Sequence, residues 1–222
     1  MFENIRDDRQ FAPATVRNRE PILGGLRRVL PQRGTVLEVA SGTGEHAVFF
    51  APRLKPRFWL PSDPDPSSRV SIAAWRDYQP VETLLAPIDL DTRDPEWAQV
   101  LRAANANARP PVPELARSPI CSIVCINMIH IAPWSAGLGL MAGAGQILPP
   151  GGILYLYGPF KENGQHTSPS NVAFDSLLRD RDPSWGVRDL EQVVEAAAQQ
   201  GLQWQETVEM PANNRSVVFC RT

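Results

Sequence analysis

Apolar residues in this chain cluster into short, nearly continuous runs separated by longer stretches with helical spacing. The runs are TVLEVA (35–40), RFWLPS (57–62), TLLAPID (83–89), CSIVCIN (121–127) and GILYLY (152–157). None alternates strictly between apolar and polar, as a strand wetted on one face would. That pattern suits parallel strands covered on both faces. Between the runs lie amphipathic stretches near 44–53, 67–77, 94–106 and 134–148. Strand–helix alternation of this kind predicts right-handed βαβ units in a doubly wound α/β sheet. The end of the chain differs. A helical pattern over 188–200 stops at Gly201, a residue suited to a helix C-terminus. LQWQETVEMP and RSVVFCR then flank a Pro-Ala-Asn-Asn turn, which predicts an antiparallel hairpin.

Composition narrows the class. With 222 residues, 43% hydrophobic and 21% charged, the chain reads as one globular domain over 1–222. The proline-rich ARPPVPELARSP (108–119) is expected to be a surface connection rather than a domain linker. The net charge is −2 with no basic block, which argues against nucleic acid as a partner. No apolar run reaches the roughly 18 residues of a membrane span. The opening MFENIRDDRQ lacks the order of a signal peptide, so no membrane partner and a cytoplasmic location are expected. Cys121, Cys125 and Cys220 make an odd set with no zinc spacing. Neither a disulfide framework nor a metal is expected.

The candidate chemistry starts at VLEVASGTGEH (36–46). Open α/β sheets take ligands at the carboxyl ends of their strands. Here a buried strand runs into Ser41-Gly42-Thr43-Gly44, and glycine at 42 and 44 lets the backbone turn sharply and approach a ligand. A dinucleotide reading is available, because Ala47 occupies the third position of a G-x-G-x-x-G/A pattern. Yet Glu38 before the turn and Glu45 just after it would both repel a diphosphate, and a cofactor carrying positive charge fits better. Asp63, in SDPDP (62–66), lies at the end of the second strand, where a carboxylate accepts from ribose hydroxyls. Asp65 is the expected cap of the next helix. In PIDLD (87–91), Asp89 suits an adenine amino group and Leu90 offers its backbone N–H; a helix-capping cluster accounts for the same residues.

Taken together, Glu38, Gly42, Gly44 and Asp63 resemble the class I S-adenosylmethionine-dependent methyltransferases. Ala40 stands where that family's first loop glycine is expected. A narrower resemblance covers nearly the whole chain. FAPATVRNREPIL, VLEVASGTGEHA, PSDPDP, NMIHIAPW, LPPGGILYLYGPF, SPSNVAFD, DPSWGVRDLE and EMPANN resemble, in order, the DUF938 family, which includes methyltransferase-like protein twenty-six. The resemblance implies a seven-stranded, mostly parallel Rossmann-like sheet, S-adenosylmethionine as cofactor, and methyl transfer to an O, N or S nucleophile of a small molecule.

Within that fold, further residues become candidates. Asn127 and His130 in CINMIHIAPW follow the fourth strand; Asn127 is expected near the cofactor. His130 suits a general base, and equally a hydrogen-bonded histidine of a packed loop. NMIH lacks the prolines and stacking ring of the base N-methyltransferase motif. GPFKENGQHTSPSN (158–171) reads as a polar lid, with Tyr157, Lys161, His166 and Asn171 within reach of substrate and Ser168 capping the next helix. The first 30 residues are expected to form a helical segment over the cofactor. There Asn18 and Arg19 suit the methionyl carboxylate, and Ser41 and His46 flank the cofactor. A homodimer is compatible with all of this. Two alternatives stay open: a cofactor-binding interaction protein with little or no turnover, and an NAD-dependent oxidoreductase.

Overall fold

Successive side chains of a strand point to opposite faces, and here both faces are apolar. The computed structural model describes residues 7–106 and 113–222. Helix α1 (Pro13–Val29) leads into β1 (Thr35–Val39), α2 (Glu45–Arg53), β2 (Phe58–Ser62), α3 (Pro66–Tyr78) and α4 (Trp97–Ala106). Then come β3 (Ile120–Ile126), α5 (Trp134–Ile147), β4 (Ile153–Gly158), β5 (Phe160–Glu162), β6 (Gln165–His166) and α6 (Pro169–Arg181). The chain closes with β7 (Arg188–Asp189), α7 (Leu190–Ala198), β8 (Leu202–Met210) and β9 (Asn214–Arg221). Part of the proline-rich connection, 107–112, lies outside the described residues.

The main sheet has the order β2-β1-β3-β4-β9-β8. Its first four strands are parallel, and β9 runs antiparallel to β4 and β8. The C-terminal hairpin is therefore as expected. Ala212 and Asn213 in its turn both take left-handed backbone conformations.

On one face, Leu37, Ile123, Leu154 and Phe219 pack against Trp97, Leu140 and Val193 of α4, α5 and α7. On the other, Val36, Trp59, Val124 and Tyr155 pack against Ile22 and Leu26 of α1 and Phe50 of α2. Each of the four parallel strands is thus covered twice, which is why its sequence shows no alternation. Cys125 is buried in the first of these cores, and Cys121 is half-buried. Among the described residues no cluster of His, Cys, Asp or Glu could hold a metal.

The strand expected at 83–89, third in chain order of an expected seven, does not form. Six strands make the sheet, and 83–89 touches β2 through two isolated bridges, Trp59–Leu84 and Ser62–Ile88. Two prolines explain the gap. Trp59 N–H donates to Thr83 O at 2.7 Å and Leu85 N–H to Trp59 O at 2.9 Å. The next two donors in that register would be the nitrogens of Pro61 and Pro87, which carry no hydrogen. Pairing resumes only where Ile88 N–H reaches Pro61 O and Asp63 N–H reaches Ile88 O.

The expected lid over 158–171 is also different. Asn163 and Gly164, both at positive φ, turn β5 into β6, and β7 pairs on the other side of β5. Asn-Gly is the strongest short hairpin signal, and here it makes a small second sheet. Ser168 caps α6 as expected, its hydroxyl accepting from Asn171 N–H at 3.2 Å.

Helix α5 approaches its neighbours closely because it is rich in glycine. Trp97 donates its indole N–H to Gly139 O at 3.2 Å, and a Cβ on Gly143 would overlap the Trp97 ring. Gly143→Ala is expected to destabilise the fold by about 1–3 kcal/mol through overpacking. Urea denaturation checks this; a variant as stable as wild type would mean that Trp97 swings aside freely.

Candidate functional site

The chain order of the sheet reverses between β1 and β3, so a crevice opens beyond their carboxyl ends. The turn leaving β1 has three left-handed residues, Ala40, Gly42 and Gly44, at φ 56°, 55° and 86°. Ala40 therefore adopts the conformation that glycine takes without strain. Nothing lies within 4 Å of where a Cβ on Gly42 would stand, so its backbone faces open space. A Cβ on Gly44 would meet Ile72 Cα at 2.8 Å, because there the turn packs on α3.

Hydrogen bonds fasten this turn to the end of β2. Gly42 N–H donates to Asp63 Oδ2 at 2.9 Å, Ser41 N–H to Ser62 O at 2.8 Å, and Ser62 Oγ to Glu38 O at 2.8 Å. Asp63 Oδ1 accepts from Asp65 N–H at 2.9 Å, and Asp65 caps α3 by accepting from Ser67 N–H at 2.8 Å. Each Asp63 oxygen keeps capacity for a further donor.

Glu38 is only 1% exposed and accepts the Trp59 indole N–H at 2.9 Å. Burial pushes its carboxyl up to about 7, opposed by the Trp59 and Ser41 hydrogen bonds. The structure thus places Glu38 beneath the turn rather than in the crevice. Glu45, at the first position of α2, accepts from Ala12 N–H at 2.5 Å and Thr43 Oγ1 at 3.1 Å. Gln10 N–H donates to Ser71 Oγ at 2.7 Å, and Ser71 Oγ donates to Thr43 O at 2.7 Å. The segment before α1 is therefore laced to the glycine turn.

Two cavities meet at the crevice. The smaller, about 330 Å³, is lined by Val39, Ala40, Leu90, Met128, Ala132 and Trp185 among others. The larger, about 590 Å³, takes in Arg17, Asn18, Asn127, Tyr157, Phe174 and Asn214. Ile131 belongs to both. Leu90 thus reaches the crevice, whereas the Asp89 side chain is 71% exposed and pairs with Arg69 at 3.2 Å. Asp91 lines the smaller cavity instead, its carboxyl held below the usual value by Arg93. Asn127, left-handed at φ 63°, donates its N–H to Tyr157 O at 2.7 Å, which ties the ends of β3 and β4 together.

The expected contributors from α1 separate. Ala14, Arg17 and Asn18 share one helix face and line the larger cavity. Arg19 lies on the other flank, its guanidinium 4.6 Å from the Phe49 ring centroid. His46 Nε2 meets Asn18 Oδ1 at 2.8 Å and its ring stacks on Phe50. Burial pulls His46 down to about 4, and the Arg19 charge adds to the effect. The neutral ring therefore donates to Asn18, leaving the Asn18 amide hydrogens for another acceptor.

His130 lies outside both cavities. It is 0% exposed, its ring sits edge-on to Phe160 at 5.1 Å, and a Cβ on Gly158 would overlap it. Neither ring nitrogen has a hydrogen-bond partner among the described residues. Burial, aided by Arg188, pulls it down to about 3. His166 pairs with Asp175 at 3.2 Å, alongside Lys161 at 3.4 Å and Arg179 at 3.3 Å. Burial alone would raise the Asp175 carboxyl; the Val187 N–H and the charges of Lys161 and Arg179 outweigh it and hold it low. The second sheet thus draws His166 and Lys161 to Asp175.

The model of the family described as "protein of unknown function (DUF938)" matches residues 9–221. The chain belongs to the DUF938 family. Among solved structures, an O-methyltransferase family protein from Burkholderia thailandensis superposes with a TM-score of 0.73 at 13% identity, covering 94% of this chain and 57% of that one. The S-adenosylmethionine-dependent methyltransferase SibL gives 0.69 at 15%, covering 94% and 55%. An O-methyltransferase family 2 protein from Planctomyces limnophilus, in complex with apigenin, gives 0.65 at 16%, covering 92% and 61%. This DUF938 chain spans little more than half the length of the first two, and at these identities it shares their fold. No helix among its described residues is long and apolar enough to cross a membrane.

Several lining residues of this DUF938 protein escape sequence reasoning. Arg17 and Arg19 lie 100° to either side of Asn18, and only the crossing of α1 over the sheet selects Arg17. Asn214 reads as a turn residue, and Trp185 and Phe174 carry no local signal. Ala14, at i−4 from Asn18, was the one available clue to the inward flank.

Two buried neutral histidines make stability depend on pH. His46 and His130 have folded values below their usual 6.5, so their contribution is complete above pH 6.5 and is lost as pH falls toward 4. Glu38, raised above its usual 4.5, opposes them between pH 4.5 and 7. His130→Leu, which sacrifices no hydrogen bond, is expected to flatten the acid limb by up to about 1.4 kcal/mol per pH unit. Glu38→Gln is expected to steepen it. Urea titrations from pH 4 to 7.5 measure both slopes, and an unchanged slope in His130→Leu would contradict the burial argument.

Proposed function

We propose that this chain is an S-adenosylmethionine-dependent methyltransferase acting on a small molecule. The observation that carries this reading is the bond from Gly42 N–H to Asp63 Oδ2 at 2.9 Å. It sets an open backbone face and a buried carboxylate side by side, close in the chain to Ala40 and Pro64 of the smaller cavity's lining. The residues fit the cofactor. The space in front of Gly42 is free for its nucleoside, and Asp63 has acceptor capacity left for ribose hydroxyls. Val39, Leu90 and Met128 offer an apolar floor for its base. Asn18 faces the lobe where its amino-acid tail would lie, and α1 covers that lobe. When bound, the cofactor supplies a methyl group made electrophilic by its sulfonium.

The chain's own residues position and shield. The segment 7–12 and the Asn18–His46 pair hold α1 against the turn and limit water at the crevice. Asn127 and Tyr157 present polar groups from the ends of β3 and β4. Glu45 sets a negative charge in the first turn of α2, where a diphosphate would bind, which disfavours a pyridine dinucleotide. The cavity size and the net charge of −2 support a small acceptor over nucleic acid.

A second reading, cofactor binding without turnover, draws on one observation: the described lining of the larger cavity holds no Asp, Glu, His or Lys. Calorimetry with S-adenosylmethionine and NADH, followed by assay of S-adenosylhomocysteine released in a metabolite extract, separates the readings. Binding of the sulfonium cofactor with release is expected. Binding without release favours the second reading, and binding of NADH alone overturns both. Asp63→Ala is expected to weaken cofactor binding by about 1–3 kcal/mol, the loss of a charged acceptor. Unchanged affinity would remove Asp63 from the site.

A further inference from the structure

The larger cavity has donors but no proton acceptor strong enough to act as a base. Its described polar lining is one guanidinium (Arg17), four carboxamides, the Ser170 hydroxyl and the Tyr157 phenol. All three histidines are committed elsewhere: His46 to Asn18, His166 to Asp175, and His130 beneath Gly158. Tyr157 cannot substitute for them. Burial raises its phenol, and although the Asn18 and Asn214 amides oppose that, it stays protonated at neutral pH. A protonated phenol has its own hydrogen to offer a ligand. No described carboxylate pairs with Arg17, which is exposed on the cavity face of α1.

An acceptor that must first lose a proton finds no help here. Thiols, phenols and ammonium groups ionise near pH 8.5, 10 and 10.4 (roughly), whereas carboxylic acids ionise near 4. A carboxylate therefore arrives as its own nucleophile, and it matches the Arg17 fork and the Tyr157 hydroxyl. Phe174, Pro159, Pro211 and Ile131 give its body an apolar wall. Resting on the methyl-transfer reading, we propose that the acceptor is a small molecule bearing a carboxylate, held by Arg17 and Tyr157 and converted to its methyl ester.

The step balances without a base. A carboxylate oxygen lone pair forms the new O–CH3 bond, and the S–CH3 bond breaks with its electron pair passing to sulfur. The negative and positive charges cancel and no proton moves. Exclusion of bulk water from the cavity favours such charge annihilation.

Calorimetry on the full chain saturated with S-adenosylhomocysteine tests this, with benzoate, benzamide and benzylamine as probes. Benzoate is expected to bind, benzamide to bind roughly tenfold more weakly, and benzylammonium not to bind. Arg17→Ala and Tyr157→Phe should each weaken benzoate by roughly tenfold, the loss of one charge-assisted hydrogen bond. Both should leave S-adenosylhomocysteine affinity within about twofold, since this carboxylate subsite belongs to the acceptor. A drop in S-adenosylhomocysteine affinity in Arg17→Ala would assign the guanidinium to the cofactor's own carboxylate and overturn the proposal. So would absent benzoate binding or a preference for benzylammonium. Failure of S-adenosylhomocysteine to bind wild type would instead sink the methyl-transfer reading, before any probe is added. Incubation of a metabolite extract with cofactor carrying a radioactive methyl adds a second readout. Label released as methanol by mild alkali is expected, and alkali-stable label overturns the ester.

Discussion

The site depends on one hydrogen bond between the segments that leave two neighbouring strands. By accepting Gly42 N–H, the Asp63 carboxylate ties the turn after β1 to the end of β2. Ser41 and Ser62 repeat the tie through their backbones, and Asp63 passes it on to the start of α3 through Asp65 N–H. The tie holds the left-handed turn open on one side, because packing of Gly44 against Ile72 leaves Gly42 facing free space. Burial of the β1–β3 core fixes where the strands end, and this carboxylate fixes the shape beyond those ends.

Electrostatics then divide labour between burial and exposure. Two of the carboxylates near the turn are structural: Glu38 sits under Trp59, and Glu45 anchors the segment before α1. Two of the histidines are so deeply buried that they are held neutral. In the larger cavity the described lining offers a ligand a guanidinium, carboxamides and hydroxyls, and no carboxylate. A cavity of that kind selects by charge and orientation rather than by taking a proton, which places the demand for reactivity on the bound molecules.

The fold was largely legible because burial on two faces writes itself into sequence as unbroken apolar runs. Four parallel strands, the C-terminal hairpin and the capping roles of Asp65 and Ser168 follow from such local rules. The missing strand at 83–89 was not legible as an absence. Its failure needs Pro61 and Pro87 to fall opposite one another, a fact of register rather than of composition. The Asn163-Gly164 hairpin was written in the sequence but hidden in a polar stretch that also reads as a loop. Local geometry was legible where chain position implies space: Gly42 faces open space and Leu90 lines the smaller cavity. It was not where tertiary packing chose the direction: Arg17 over Arg19, Asp91 over Asp89, and a buried His130 in place of an accessible one.

The most direct test of the account is a crystal structure of the protein with S-adenosylhomocysteine. The account predicts its ribose hydroxyls on Asp63, its base between Leu90 and Met128, and its sulfur toward Tyr157. A crevice that stays empty at saturating ligand, or a ribose turned away from Asp63, would contradict it.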